Sequence, residues 1–288
     1  MKKILITGSN SYIGKSFKDW ISQFPDKYLV EIISLRDESW RDHSFKSYDV
    51  VFHTAAIVHV NNRDRDQYFK VNRDLTVDVA RKAKKEGVKQ FVFLSTMGVY
   101  GTATEVITKE TIPAPKTPYA LSKYEAEQLI TELSSKDFRV ATLRPPIVYG
   151  KDCPGNYSRL ASLALKLPLF PDVENQRSMI YIDNLSEFIR LLINECESGL
   201  YFPQNKDYVN TTDLVKIISS VHGKKVKIMS GLGWAISWVL KYSDTFRKVF
   251  GSFVYSKEME GSQGTIMSCE VIDYETKPFI ETVKITEK

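Results

Sequence analysis

Apolar residues in the first half of the chain gather in short runs. These are Lys3-Ile-Leu-Ile-Thr7, Val30-Glu-Ile-Ile-Ser-Leu35, a run within Tyr48–Ala56, Gln90-Phe-Val-Phe-Leu-Ser95 and Arg139-Val-Ala-Thr-Leu143. Short apolar runs closed by turn residues read as strands buried on both faces. Between them the apolar positions recur at helical spacing. One such segment begins near Gly14, with Phe17, Trp20, Ile21 and Phe24 on one side. A second runs from about Gln67 to Glu86 and stops at Gly87, and a third follows Pro118. Strands alternating with helices predict βαβ units, hence an α/β fold with a doubly wound parallel sheet.

From about Lys151 the alternation weakens. Asn156 to Leu167 reads as a helix closed by Pro168-Leu-Phe-Pro171, and Met179-Ile-Tyr-Ile182 as a strand. Asp183 and Asn184 are natural caps for the helix after it, and Asn210-Thr211-Thr212 opens another that ends at Gly223. We therefore expect a large domain over residues 1–150 with 178–198 packing back on it, and a smaller lobe made of 151–177 and 199–288. From Leu232 to Phe250 aromatic residues recur at fours (Trp234, Trp238, Tyr242, Phe246, Phe250). Such a stripe is core or lid packing, or else a helix for a partner or membrane surface. Gly251–Tyr255 reads as a last substrate loop, and 60–66 and 102–116 as loops near a site.

Composition narrows the class. Apolar content of 43% and charge of 26% belong to a soluble globular chain. A net charge of +5 allows an anionic ligand but is too small and dispersed to argue for nucleic acid. Cys153, Cys196 and Cys269 lack ligand spacing, which fits a reducing, cytosolic setting rather than a disulfide framework. The N-terminal apolar run is too short for a signal peptide, and no stretch reaches membrane-spanning length. His43, His53, His59 and His222 are scattered, and none is assigned to a metal.

Ligands of a doubly wound sheet bind beyond the carboxyl ends of its strands. Gly8, Ala55-Ala56, Ser95-Thr96 and Pro145-Pro146 all fall at such ends. The turn Gly8-Ser-Asn-Ser-Tyr-Ile-Gly14 is either an ordinary strand–helix connection or a backbone cradle for a pyrophosphate at a helix N-terminus. Tyr119 and Lys123 lie four apart in the helix that Pro118 opens, so they share a face. A free phenol has a pKa of about 10, and a nearby ammonium lowers it. The pair is then a proton donor and acceptor.

Together these segments resemble the extended short-chain dehydrogenases/reductases that act on nucleotide sugars, the epimerase/dehydratase group. The resemblance rests on Thr7-Gly8 with Gly14, His53-Thr-Ala-Ala56, Ser95-Thr-Met-Gly-Val-Tyr-Gly101, Tyr119 with Lys123, Arg144-Pro-Pro-Ile-Val-Tyr-Gly150 and Arg177-Ser-Met-Ile-Tyr-Ile-Asp-Asn-Leu185, in family order over about residues 3–200. It implies a Rossmann-type sheet and NAD or NADP as cofactor. The dinucleotide would meet Gly8, Asn10, Ser11, Tyr12, Ile13 and Gly14 in the first turn. It would also meet Ala55 and Ala56, Tyr119 and Lys123, and Pro146 and Ile147. Tyr119 would be the catalytic acid/base, and Lys123 would lower its pKa and hold the nicotinamide ribose. Thr96 would hydrogen-bond the reacting oxygen, a role its neighbour Ser95 competes for.

Three positions depart from the family's pattern. Ser11 replaces the middle glycine, so the turn must tolerate a side chain near the phosphates. Arg36 stands where NAD-preferring members hold the ribose with an acid, which suggests NADP, although Asp37 next to it is a rival acid. Ile147 replaces an asparagine of many sugar epimerases. Arg-Pro-Pro-Ile-Val-Tyr-Gly with Gly155-Asn156-Tyr157 is similar instead to the branch of UDP-4-keto-6-deoxy-N-acetylhexosamine 4-reductases. There Asn156 would contact the diphosphate, the backbone near Leu169 and Phe170 would meet uracil, and Arg177 a phosphate. The resemblance thus implies an oxidoreductase acting at C4 of a UDP-linked sugar, leaning to a 4-ketoreductase, with a 4-epimerase as the alternative. A silent dinucleotide-binding regulator is more distant. Surface polysaccharide synthesis is the expected setting, and a homodimer through two helices of the large domain the family-level expectation.

Overall fold

The computed structural model describes residues 1–58, 65–101, 104–231, 250–259 and 274–288. The apolar runs become β1 (Lys2–Thr7), β2 (Tyr28–Ile33), β3 (Val50–His53), β4 (Gln90–Leu94) and, after a short β5 (Val106–Ile107), β6 (Arg139–Leu143). Five of these, β5 excepted, lie in one parallel sheet of order β10-β6-β4-β3-β1-β2. Its edge is β10 (Gly199–Tyr201), so residues 199–201 join the large sheet rather than the smaller lobe in which we expected them. A three-residue strand opened by glycine leaves too little pattern to be recognised. The strand order reverses at β1, which pairs with β2 on one side and β3 on the other. The crevice at this reversal is where such sheets take ligands.

Helices cover both faces. Ile4, Ile6, Phe52 and Val92 pack on Phe17 and Ile21 of α1 (Tyr12–Ile21) and on Phe188, Ile189 and Leu192 of α6 (Ile182–Asn194). Leu5, Val51, Phe91 and Val140 face Val77 and Ala80 of α3 (Leu75–Lys85) and Ala126 and Ile130 of α4 (Pro118–Thr131). The helix expected over 67–86 is one helix in three parts. It comprises α2 (Asp66–Tyr68), a π-helical segment (Phe69–Asp74) and α3. The extra residue per turn of a π segment is invisible to a 3.6-residue pattern.

A second group of elements, which we take as the smaller lobe, shares a core of its own: β7 (Ile147–Tyr149) paired with β9 (Met179–Tyr181), α5 (Asn156–Lys166), β8 (Leu169–Pro171) paired with β11 (Lys227–Met229), and α7 (Thr211–Val221). β12 (Val254–Tyr255) pairs with β5, and α8 (Phe279–Thr286) is the last helix. Asn210 caps α7, its Oδ1 accepting from Asp213 N at 3.1 Å. The expected cap at Asp183–Asn184 is displaced: α6 begins at Ile182 behind Tyr181, Asp183 lies in its first turn, and Asn184 is fully buried with its side chain bonded elsewhere. The aromatic stripe through Phe246, the loop residues 59–64 and 102–103, His59 and Cys269 lie outside the described residues. Among the described residues, no helix is long and apolar enough to cross a membrane, and no cluster of ligand residues is set to hold a metal.

Candidate active site

The β1–α1 turn fits a dinucleotide's pyrophosphate. Gly8 has φ +115°, and a Cβ on it would lie 2.8 Å from Ala55 N and 2.9 Å from Ala55 Cα. The turn is thereby pressed against the end of β3. A Cβ on Gly14 would meet Thr54 Oγ1 at 2.8 Å, so helix and strand pack as closely as backbone permits. Ser11 is accommodated because its φ of −66° needs no glycine. Its hydroxyl accepts from Gly14 N at 3.1 Å and caps α1. Tyr12 and Ile13 turn inward and pack against the lobe's core, leaving their backbone to a ligand, while Asn10 is exposed.

After β2, Arg36 and Asp37 are both exposed. Asp37 is engaged: its Oδ1 accepts from Ser39 N at 3.0 Å and from Ser39 Oγ, bonds that hold its carboxyl below the usual carboxylate range. Beyond β3, Ala55 and Ala56 lead to Ile57, which Asn72 grips by both backbone groups. Asn72 Oδ1 accepts from Ile57 N at 2.8 Å, and its Nδ2 donates to Ile57 O at 3.0 Å and to Ser122 Oγ at 3.2 Å. The π segment carries this fully buried asparagine. Sequence reasoning missed it. The available signal was a polar residue inside an otherwise helical run.

Thr117 caps α4 through a 3.2 Å bond from Ala120 N, and Pro118 occupies the first turn. Lys123 is buried at 2% exposure, its ammonium 4.1 Å from the centre of the Phe93 ring. Burial lowers its pKa to about 7, against the pull of Glu127. Tyr119 meets Tyr68 edge-on, with ring centres 6.4 Å apart. Burial, with Tyr68 beside it, pushes the Tyr119 phenol up to about 12. The lowering expected from Lys123 is not expressed at Tyr119: burial raises the phenol, and the Lys123 ammonium lies over the Phe93 ring instead. His53 lies beneath. Its Nδ1 is 2.8 Å from Thr7 Oγ1 and its Nε2 3.0 Å from Thr76 Oγ1. Thr76 donates its proton to Asn72 O, so the network assigns the His53 proton to Nε2.

Ser95 and Thr96 have different surroundings. Ser95 is buried and donates to Glu127, whereas Thr96 is half-buried with its Oγ1 accepting from Gly98 N at 3.0 Å. The Thr96 proton is left to donate elsewhere. Glu127 also receives Arg144, Nη2 to Oε2 at 2.5 Å, in a pair with both side chains 6% exposed. Sequence reasoning missed this pair as well, although Glu127 follows Lys123 by one helical turn.

A pocket in the lobe gathers Ile147, Asn156 and Arg177 with Met179, Val209 and Thr211. Arg177 is 8% exposed, its Nη1 donates to Gly251 O at 2.9 Å, and no group among the described residues bonds its Nε. Burial lowers its pKa to about 10. A guanidinium buried in this way suits an anionic ligand. Phe170 is not among the pocket's walls: its side chain is 1% exposed and packs on Phe250, so only its backbone is available to a ligand.

Comparison with known proteins gives the family. Residues 4–209 match the model of the NAD dependent epimerase/dehydratase family. The chain belongs to that family. It is an NAD(P)-dependent enzyme of the Rossmann-type α/β class. Among relatives, it is 28% identical to a UDP-glucose 4-epimerase of Vibrio cholerae, over 87% of this chain and 83% of that one. It is 24% identical to a GDP-6-deoxy-D-mannose reductase of Pseudomonas aeruginosa, over 79% and 83%. A UDP-glucuronic acid 4-epimerase from Bacillus cereus, solved with NAD, has the same fold. Its TM-score is 0.74 at 17% identity, covering 99% of this chain and 95% of that one.

Proposed function

We propose that the enzyme reduces the C4 ketone of a UDP-linked 4-keto sugar with NADPH. The observation that carries this is the division of labour after β2. Asp37 spends its carboxylate on Ser39, and Arg36 stands exposed beside it. An arginine there suits a 2′-phosphate, and NADPH is a reductant consumed in each turnover. Bound NADPH supplies the hydride for the carbonyl carbon, and the carbonyl's electron pair passes to its oxygen. Thr96 donates a hydrogen bond to that oxygen, since Gly98 N occupies its acceptor side. Tyr119 then delivers the proton, and a phenol held protonated in the resting enzyme suits a donor. Lys123 holds the ribose, while Gly8, the backbone of Asn10 to Gly14, Ala55, Ala56, Pro146 and Ile147 line the dinucleotide. Asn156 and Arg177 bind the diphosphate and the backbone at Phe170 the base. Free Cys153 and Cys196 support a cytosolic setting.

The Vibrio relative supports a second reading, a 4-epimerase with retained NAD. Two assays separate the readings. UDP-glucose or UDP-N-acetylglucosamine is offered without added cofactor, and a UDP-4-keto-6-deoxy sugar is offered with NADPH. We expect stoichiometric NADPH loss in the second and no change in the first. Interconversion in the first with no net redox change overturns the reductase reading. Tyr119→Phe should lower turnover by about 10²–10⁴ while NADP binding persists. A Tyr119→Phe protein that retains every wild-type property would mark a non-catalytic dinucleotide binder.

A further inference from the structure

Behind the proposed catalytic residues lies a buried charge cluster that the reaction itself does not use. Arg144 Nε donates to Glu127 Oε1 and Oε2 at 3.2 and 3.1 Å, its Nη2 to Oε2, and its Nη1 to Tyr100 Oη at 2.8 Å. Ser95 Oγ adds a further bond to Glu127 Oε1. The guanidinium lies over the rings of Tyr100 and Tyr124, 5.1 and 5.8 Å from their centres. Arg144's own carbonyl accepts from Tyr255 of β12 at 2.7 Å. A buried ion pair is a poor device for stability, because desolvating two charges offsets their attraction. This one meets three segments that carry chemistry. Ser95 precedes Thr96, Glu127 stands one turn beyond Lys123 on the buried face of α4, and Arg144 opens the Pro145-Pro146 turn.

We propose that Glu127 is a positioning residue: clamped by Arg144 and Ser95, it sets the Thr96 turn against the Tyr119–Lys123 face and supplies a negative charge one helical turn from Lys123. The inference rests on the roles given above for Thr96, Tyr119 and Lys123. The other titratable groups around the pair are Tyr100 and Tyr124, Tyr255 from β12, and His53 from β3. Burial raises the phenols of Tyr100 and Tyr255, and burial with Lys123 holds His53 neutral down to about pH 3. Arg144 and Glu127 form the buried ion pair of the cluster, and Lys123 lies one helical turn from Glu127. Glu127 opposes the loss of the Lys123 proton that burial favours.

The test is Glu127→Gln, which keeps the shape and removes the charge, with E127M/R144M as the second variant. NADP affinity is measured by quenching of protein fluorescence between about pH 5.5 and pH 9, a window that brackets the Lys123 transition. Turnover is followed with a UDP-4-keto-6-deoxy sugar and NADPH. In Glu127→Gln we expect the midpoint above which NADP binding weakens to fall by about one pH unit. At neutral pH, kcat should drop about tenfold to a hundredfold with KM within about threefold of wild type. Should the single variant fail to fold because Arg144 is left unpaired, E127M/R144M decides. A midpoint still displaced to acid supports the proposal, and wild-type midpoint and kcat overturn it. Wild-type values in Glu127→Gln also overturn it. If the wild type binds NADP but reduces no keto sugar, the functional reading fails while the displacement remains measurable.

Discussion

His53 shows how a single side chain can serve the site by staying uncharged. Both ring nitrogens are engaged by threonines, and Phe91 and Phe93 stack on it at 5.7 and 6.0 Å. Burial, and then Lys123, depress its pKa to about 3. The unfolded chain takes up this proton near pH 6.5, whereas the native protein does not until near pH 3. The contribution of His53 to stability is therefore present above about pH 6.5 and is lost as pH falls below it, at up to about 1.4 kcal/mol per pH unit. Urea midpoints of wild type and His53→Gln should accordingly converge between about pH 6.5 and pH 4. A constant difference across that range would show that His53 takes its proton in the native state. The neutrality also protects Lys123, since a second buried cation there would repel the ammonium.

At the scale of elements, the β1–α1 turn is governed by Gly8. An alanine there must hold φ near +115° and push against the backbone of Ala55. Gly8→Ala should cost at least about 1–3 kcal/mol by urea unfolding and weaken NADP binding at least tenfold or so. Ser11→Gly should cost only a few tenths of a kcal/mol and, by freeing the Gly14 N–H, tighten NADP binding modestly. Equal losses in the two variants would contradict this account. The central strands were legible because a parallel sheet buries both faces, so β1, β4 and β6 stand out as apolar runs. The placing of Tyr119 and Lys123 on one helix and of Gly8 in the first turn was legible because it depends on local spacing. Asn72, Glu127 and Arg144 were not, because their roles arise from contacts between segments far apart in the chain. The start of α6 was misjudged for a related reason: Asn184 has the composition of a cap, but its amide is used across the fold.

A buried polar cluster centred on Asn205 ties the C-terminal segment to β7, β9 and α6, and this gives the prediction at the largest scale. Asn205 Oδ1 accepts from Tyr181 N at 3.2 Å and from Asn184 Nδ2 at 3.0 Å, and its Nδ2 donates to Tyr149 Oη at 3.2 Å. Asn184 Oδ1 in turn accepts from Thr276 N and Oγ1, both at 2.9 Å, and Tyr149 shares a 2.7 Å bond with Thr282 of α8. One amide thus connects β7, β9 and α6 to the C-terminal segment. Asn205→Ala leaves several buried groups unpaired and should cost on the order of 3 kcal/mol. Thr282→Val removes one bond from the same cluster, so the two losses should be coupled by more than about 0.5 kcal/mol in a double-mutant cycle. Strict additivity would mean that α8 is held independently of Asn205. Because β7 and β9 carry Ile147 and Met179 on the wall of the Arg177 pocket, Asn205→Ala should raise KM for the keto sugar several-fold. NADP affinity, which we assign to the β1–α1 turn, should stay near wild type. A change in NADP affinity as large as the change in KM would show that the cluster supports the whole molecule equally, rather than the sugar side of the site.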